Sequence, residues 1–350
     1  MEVKTGEIIF SKNPDKQLAP ASMTKIMTML LVMESLANEE ITLEDEITVS
    51  SNAARMGGSQ IYLEVGEKMT LEELMKAIAI SSANDASVAV AEYIAGTESL
   101  FVEKMNNKAK ELGMRNTIFY NTNGLPESDK NISGNLTTAK DLAILSKELL
   151  KYPKVLDWTS IWIDHLRDGE FVLNNTNKLV RHFDGVDGIK TGYTNEAGFC
   201  VAVTAKKNDL RFIAIIMGAN NSTERFAEAR KLLSYAFNIY TNYNIIEKGE
   251  KVKNVDVWNA KERNLELRAS KDLYLPMKRG DKEKFNKEFI FKDEIKAPIN
   301  RGDIIGKLNI FKGNYKIDEC NLLAARKVEK ASIFKILFRI VIKFLEKLFK

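Results

Sequence analysis

The chain has 350 residues, 45% of them hydrophobic and 29% charged, ordinary globular usage that excludes a disordered or collagen-like polymer. Its length allows two domains, and no apolar run approaches the roughly 18–20 residues that a membrane-crossing helix needs. Lys and Arg outnumber Asp and Glu by 52 to 48, and the whole excess sits in residues 331–350, where five basic residues face Glu346 alone; a basic body shaped for nucleic acid is therefore unsupported.

In chain order, residues 2–10 read as a strand end, a turn at Gly6 and a second strand. A chain that opens inside a hairpin reads as shortened, with no basic, apolar and cleavage segments of an export signal in front. Residues 20–36 predict an amphipathic helix behind Pro20, with Ile26, Met27, Met29, Leu30, Val32 and Met33 as its apolar positions. Thr70 and Glu73 form a capping-box pattern for a helix through about Ser81. Further helices are predicted over 86–94, 98–112 and 138–151, stopped by Gly96, Gly113 and Pro153 respectively. Residues 199–204 and 210–217 then read as buried strands joined by a polar turn, followed by a helix over 223–240.

From Gly249 onward the period changes to two. Val255/Val257, Leu265/Leu267, Leu273/Leu275 and Leu308/Ile310 alternate between glycine turns, the pattern of an antiparallel sheet. The expected organisation is a catalytic-sized α/β (α+β) domain over 1–246, with an antiparallel sheet covered by helices. A small all-β domain over 247–330 and a helix over 331–350 complete it.

Chemistry-bearing residues are few. Cys200 and Cys320 are the only cysteines, and His165 and His182 the only histidines. They make neither a disulfide framework nor a zinc set, and both cysteines are expected to be free and buried. No GxSxG elbow, GxGxxG or phosphate loop is present. Three short patterns remain: Ser22-Met23-Thr24-Lys25, Ser82-Ala83-Asn84 and Lys190-Thr191-Gly192. Each recurs by chance in this chain, as in Ser332-Ile333-Phe334-Lys335, Lys4-Thr5-Gly6 and Ser133-Gly134-Asn135. Context separates them. Ser22 stands at the first turn of a helix, where free N–H groups favour negative charge, and Lys25 lies one turn on along the same face. Ser82 to Asn84 fall in the break between two apolar helices, and Lys190 to Gly192 precede the strand pair.

Order and context resemble the penicillin-interacting serine enzymes. The longer strings Ala19-Pro20-Ala21-Ser22-Met23-Thr24-Lys25-Ile26-Met27-Thr28, Asn84-Asp85-Ala86 and Gly185-Val186-Asp187-Gly188-Ile189-Lys190-Thr191-Gly192-Tyr193-Thr194 resemble the serine-type D-Ala-D-Ala carboxypeptidases, the low-molecular-mass penicillin-binding proteins. The resemblance implies a penicillin-binding/β-lactamase-like catalytic domain that trims peptidoglycan stem peptides and is acylated by β-lactams. It departs at the N-terminus, where the family's export signal and first strand are missing or cut.

A serine hydroxyl needs a base, and with no suitable histidine the candidate is Lys25. An ordinary lysine is protonated at neutral pH; lowering its pKa by about three units costs roughly 4 kcal/mol. Burial and a second cation do this, and Lys190 is expected to be that cation, remaining an ammonium. The resemblance further implies that Ser82 relays a proton and that Asn84 holds the substrate amide. Lys190, Thr191 and Arg225 would face the terminal carboxylate, and the N–H groups of Ser22 and Tyr193 would form the oxyanion hole. Gly192 lets substrate approach its strand. No metal or organic cofactor is required. Asp85 is read as a helix cap, Asn177 as a turn residue and His182 as surface.

At 100° per residue, every charge of 331–350 falls within about a third of the circle. The remainder is apolar, with Phe334, Leu337, Phe338, Ile340, Val341, Phe344 and Phe349 among its residues. Such a helix suits the headgroup layer of an anionic membrane. The expectation is a carboxypeptidase held peripherally on the outer face of the bacterial cytoplasmic membrane. The alternatives are a β-lactamase of the same superfamily or a β-lactam-binding sensor.

Overall fold

The computed structural model describes residues 1–126, 134–280, 285–291, 294–313 and 315–348, with the side chains of 315, 340 and 342–348 left aside. The chain divides into two compact units, Met1–Ile239 and Tyr240–Lys350.

The first unit is built around α1 (Lys25–Ala37), which is entered through a single 3₁₀ turn, Ala21–Thr24. Every residue from Lys25 to Met33 is buried, so α1 is a central helix and not the amphipathic one expected; its apolar positions cover all faces. Around it, β1 (Glu46–Thr48) pairs with β2 (Lys68–Thr70). The capping box forms as expected: Thr70 Oγ1 accepts from Glu73 N, and Glu73 Oε2 accepts from Thr70 N. That helix ends in a π turn, Ala77–Ser81, and after a two-residue break α2 (Asn84–Ala95) begins. Helices Glu98–Glu111 and Ala139–Leu149 lie close to their predicted bounds.

The hairpin of β3 (Ile163–Leu166) and β4 (Phe171–Asn174) was not expected. Its strands are short, and His165 and Val172 face each other in a segment without clean alternation. The main sheet is antiparallel, in the order β5 (Val186–Thr194), β6 (Gly198–Lys207), β7 (Leu210–Ala219). Ala139–Leu149 and α3 (Ser222–Ile239) pack on β6 and β7. β5 is an edge strand, and it lies against the Ala21–Thr24 turn.

The second unit begins with β8 (Tyr240–Ile246). This strand pairs with β11 (Leu273–Lys278), so it goes with the β region, whereas the sequence placed it at the end of the first domain. A five-stranded sheet joins β9 (Lys251–Asp256), β10 (Asn264–Ala269), β12 (Asn286–Phe291), β13 (Ile304–Lys312) and β14 (Tyr315–Ala324) in the order β12-β13-β14-β10-β9. Its core includes Val257, Leu265, Leu267, Leu308, Ile310 and Cys320. The chain ends in α4 (Ile333–Leu348). Arg339 Nη1 donates to Ala260 O at 2.7 Å and Lys335 Nζ to Lys261 O at 3.3 Å. The apolar side chains Ile333, Phe334, Leu337, Phe338 and Val341 are exposed. The side chains of Lys343, Phe344, Glu346 and Lys347, together with Phe349 and Lys350, lie outside the described residues. Among the described residues, no helix is long and apolar enough to cross a membrane.

One glycine fixes the turn that carries Ser22. Gly124 has φ +85°, and a Cβ there would stand 1.9 Å from Ala21 O. Gly124→Ala therefore combines a left-handed strain with an overlap against backbone, and should destabilise the protein by at least about 2 kcal/mol. Gly57, which has open space, serves as the control. Urea unfolding of both alanine variants checks this, with Gly57→Ala expected near wild type.

Candidate active site

Ser22 is partly exposed, and Lys25 one turn later is fully buried. The Lys25 Nζ lies 3.1 Å from Ser22 Oγ, 2.6 Å from Asn84 Oδ1 and 2.9 Å from Asn123 O. All three are neutral oxygens. A neutral amine has two N–H groups and one lone pair. The amide oxygen and the carbonyl can take only the N–H groups, because neither has a proton to give. The lone pair is then left for the hydroxyl of Ser22.

Two effects hold the Lys25 pKa well below the ordinary lysine value: burial first, then the charge of Lys190, with Asp85 opposing them. Lys190 is also buried, and its pKa is pushed down to about 7 by burial and by the nearby Arg225. The expected division into one neutral lysine and one permanent ammonium is thus softened, because desolvation acts on both.

Ser82 occupies the break before α2. It is left-handed (φ 66°, ψ 31°), buried, and its Oγ has no hydrogen-bond partner among the described residues. A hydroxyl left so pays a desolvation cost that a ligand can remove. Asn84, assigned to the substrate amide by resemblance, also bonds within the protein: Oδ1 accepts from Lys25 Nζ, and Nδ2 donates one of its two N–H groups to Gly57 O at 2.7 Å. Asp85 does more than cap its helix. It accepts from Ala86 N and also from Ile61 N and Leu63 N.

On β5, Lys190 Nζ lies 3.4 Å from Thr191 O, and Thr191 Oγ1 donates to Thr176 Oγ1 at 2.7 Å. Gly192 is needed for a different approach from the one expected. A Cβ there would meet Pro20 O at 2.7 Å and Ser22 N at 3.2 Å, so it is the serine turn itself that presses on the strand. Tyr193 is 51% exposed and packs at a tilt against Phe199, with ring centroids 4.2 Å apart. Arg225 is buried: its Nη1 donates to Gly192 O at 3.0 Å and to Cys200 O at 3.1 Å, and its guanidinium lies over Phe199 and Phe226. It grips the strand carbonyls.

Sequence reasoning missed Asn123, whose backbone carbonyl holds Lys25, because a carbonyl leaves no trace in residue type. It also dismissed Asn135 as a chance match. Its Nδ2 donates to Thr24 Oγ1 at 2.9 Å and to Asn121 O at 3.1 Å, which ties 121–124 to the serine turn. Ser133 of that pattern lies outside the described residues. Asn177 is buried, and its Nδ2 donates to Gly188 O at 3.0 Å, ahead of Lys190. His182 is exposed, and both cysteines are free and buried.

The family model described as D-alanyl-D-alanine carboxypeptidase, peptidase S11, matches residues 1–221. The chain belongs to this family. The model of the penicillin-binding protein 5 C-terminal domain matches residues 240–330. The D-alanyl-D-alanine carboxypeptidase DacF of Bacillus subtilis is 44% identical over 97% of this chain and 87% of its own length. A solved peptidoglycan synthesis regulatory factor, PBP3 of Streptococcus pneumoniae, is 28% identical with a TM-score of 0.81, covering 94% of this chain and 97% of that one. Penicillin-binding protein D2 of Listeria monocytogenes, solved in an ampicillin-bound form, is 33% identical with a TM-score of 0.61, covering 67% and 94%. Serine acyl-enzyme chemistry and β-lactam binding are characteristic of the S11 carboxypeptidases.

The lysine shift has a consequence for stability. With a folded pKa of about 7 against an unfolded value near 10.4, Lys190 is neutral in the folded state and charged in the unfolded chain between those limits. The unfolded state binds the extra proton, so stability is fully present above the upper limit and is lost as pH falls towards the lower one. Lys25 acts in the same direction. Between pH 7 and 9 the wild type should gain about 2 kcal/mol more than Lys190→Met. Urea titrations at the two pH values measure it; parallel gains in both proteins would refute the burial of Lys190.

Proposed function

We propose that this D-alanyl-D-alanine carboxypeptidase works through an acyl-enzyme on Ser22, with Lys25 as the base. Lys25 takes the hydroxyl proton as Oγ attacks the carbonyl carbon of the penultimate D-alanine of a stem peptide. Ser82 passes that proton to the leaving amine as the peptide C–N bond breaks and D-alanine departs. Water then attacks the ester, and Ser22 regains its proton. The N–H groups of Ser22 and Tyr193 hold the oxyanion through both steps. Lys190 and Thr191 face the terminal carboxylate, and Asn84 keeps the Lys25 amine in place. Arg225 acts from behind β5, holding the Gly192 carbonyl and adding positive potential beneath the carboxylate site. A β-lactam enters by the same route, its ring amide opening on Ser22. The observation that carries this reading is the Lys25 amine, buried among three neutral oxygens with the Ser22 hydroxyl at 3.1 Å.

D-alanine release from diacetyl-Lys-D-Ala-D-Ala tests it. Ser22→Ala and Lys25→Ala should each lose activity by more than about a thousandfold, and Ser22→Ala should no longer be labelled by penicillin. Penicillin labelling without peptide cleavage would favour a β-lactam sensor. Rapid penicillin turnover without cleavage would favour a β-lactamase.

The cell-wall substrate lies outside the cytoplasm. We infer that α4 holds the enzyme peripherally on the outer face of the bacterial cytoplasmic membrane. Phe334 is 86% exposed and shares a surface with Leu337, Phe338 and Val341. Lys335 and Arg339 turn back to the carbonyls of 260–261, so the described apolar face points away from its own unit. The full chain should co-sediment with phosphatidylglycerol vesicles. Phe334→Asp with Phe338→Asp should abolish this without changing D-alanine release from the soluble peptide; unchanged sedimentation would refute the anchor.

A further inference from the structure

The tip of the β3–β4 hairpin is strained. Arg167, Asp168 and Gly169 have φ of 50°, 54° and 99°, and two of the three carry a β-carbon that the left-handed region disfavours. Strain of this kind persists where surrounding contacts over-determine it.

For Arg167 those contacts are visible. Nε donates to Glu67 Oε1 at 2.9 Å and Nη2 to Glu67 Oε2 at 3.2 Å, while Nη1 donates to Ile61 O at 2.8 Å. The guanidinium lies 5.6 Å from the Phe171 ring centroid, and Tyr62 meets the same ring edge-on. One fork therefore fastens both ends of the segment 61–67.

The active site holds the same segment from its other side. Ile61 N and Leu63 N donate to Asp85. Asn84 N donates to Ser59 O and Asn84 Nδ2 to Gly57 O, each at 2.7 Å. Ile61 is thus gripped at its N–H by Asp85 and at its carbonyl by Arg167. Asn84 is 2.6 Å from the Lys25 amine. The outgoing end of the hairpin also touches the site. Asn174 N donates to Ser81 Oγ, next to Ser82, and Thr176 Oγ1 accepts from Thr191.

We propose that Arg167 is a positioning residue for acylation: by pinning residues 57–67 onto Asn84 and Asp85, it keeps the Asn84 amide on the Lys25 amine and keeps water from behind it. The proposal rests on the Ser22–Lys25 reading above. A lysine at 167 would present a point charge where a planar fork now reaches a carboxylate and a carbonyl together.

The test follows acylation by a fluorescent penicillin across the neutral pH range, with thermal unfolding alongside. It compares wild type, Arg167→Ala, Arg167→Lys, Glu67→Gln and Lys25→Ala. Lys190 and Asp85 are the charged groups acting on Lys25, and all these variants leave both unchanged. Arg167→Ala should acylate about tenfold or more slowly. Its acid limb should move to higher pH, because water reaching the amine restores its affinity for a proton. Glu67→Gln should move the limb in the same direction, and Arg167→Lys should fall between wild type and alanine. An unmoved limb in folded Arg167→Ala and Glu67→Gln overturns the proposal, whether or not the rate falls, since a general loss of stability lowers rate alone. Should Arg167→Ala fail to fold, Glu67→Gln and Arg167→Lys decide by the same criterion. If Lys25→Ala is acylated like wild type, the Ser22–Lys25 reading falls and takes this proposal with it. If Lys25→Ala loses acylation while the Arg167 and Glu67 variants match wild type, the clamp alone is wrong.

Discussion

A lysine amine buried with only neutral oxygens in hydrogen-bond reach is the constraint on which the catalytic unit depends. Charged, it would need a carboxylate to repay its lost hydration. Asp85 supplies some opposing field, but its oxygens are occupied by backbone N–H groups of 61, 63 and 86. Lys190 and, behind it, Arg225 add positive charge on top of the desolvation. The amine is driven towards its neutral form, the only form in which it can serve Ser22.

Such a site is costly to maintain, and much of the surrounding architecture keeps it from relaxing. The Ser22 turn is wedged between Gly192 on β5 and Gly124 on the 121–125 segment, each at a distance where a methyl group would collide with backbone. Buried asparagines tie the irregular segments together: Asn135 to Thr24 and Asn121, Asn177 to Gly188, Asn84 to Gly57 and Lys25. Each has donors and acceptors on one short side chain, which lets it satisfy loop backbone groups that no regular ladder reaches. Ser82, in the break before α2, is left-handed, as expected where surrounding contacts hold a functional geometry.

The second unit follows simpler rules. Its core is mostly aliphatic, alternating with polar positions along β10, and two cations of its terminal helix reach backbone carbonyls. Lys335, itself exposed, and Arg339 make these contacts within the same unit, while Phe334, Leu337, Phe338 and Val341 also stand exposed.

Sequence alone determined the helices with strong caps, at Thr70 and Thr138, and the apolar strands at 199–204 and 210–217, because caps and periodicity are local. It also determined the family, through residue strings long enough to escape chance. It could not see the short β3–β4 hairpin or β14, where polar residues interrupt alternation, or β8, whose partner β11 lies farther along the chain. Lys25, Lys190, Ser82 and Asn84 were legible as types in order. The Asn123 carbonyl, the Arg167 clamp and the inward grip of Arg225 were not. Tertiary structure alone decided which oxygens surround the amine and which strand presses on the serine turn. The reason is physical: hydrogen bonds to backbone groups and the loss of solvent depend on what the folded chain brings near, and neither is written in the identity of a residue or its neighbours.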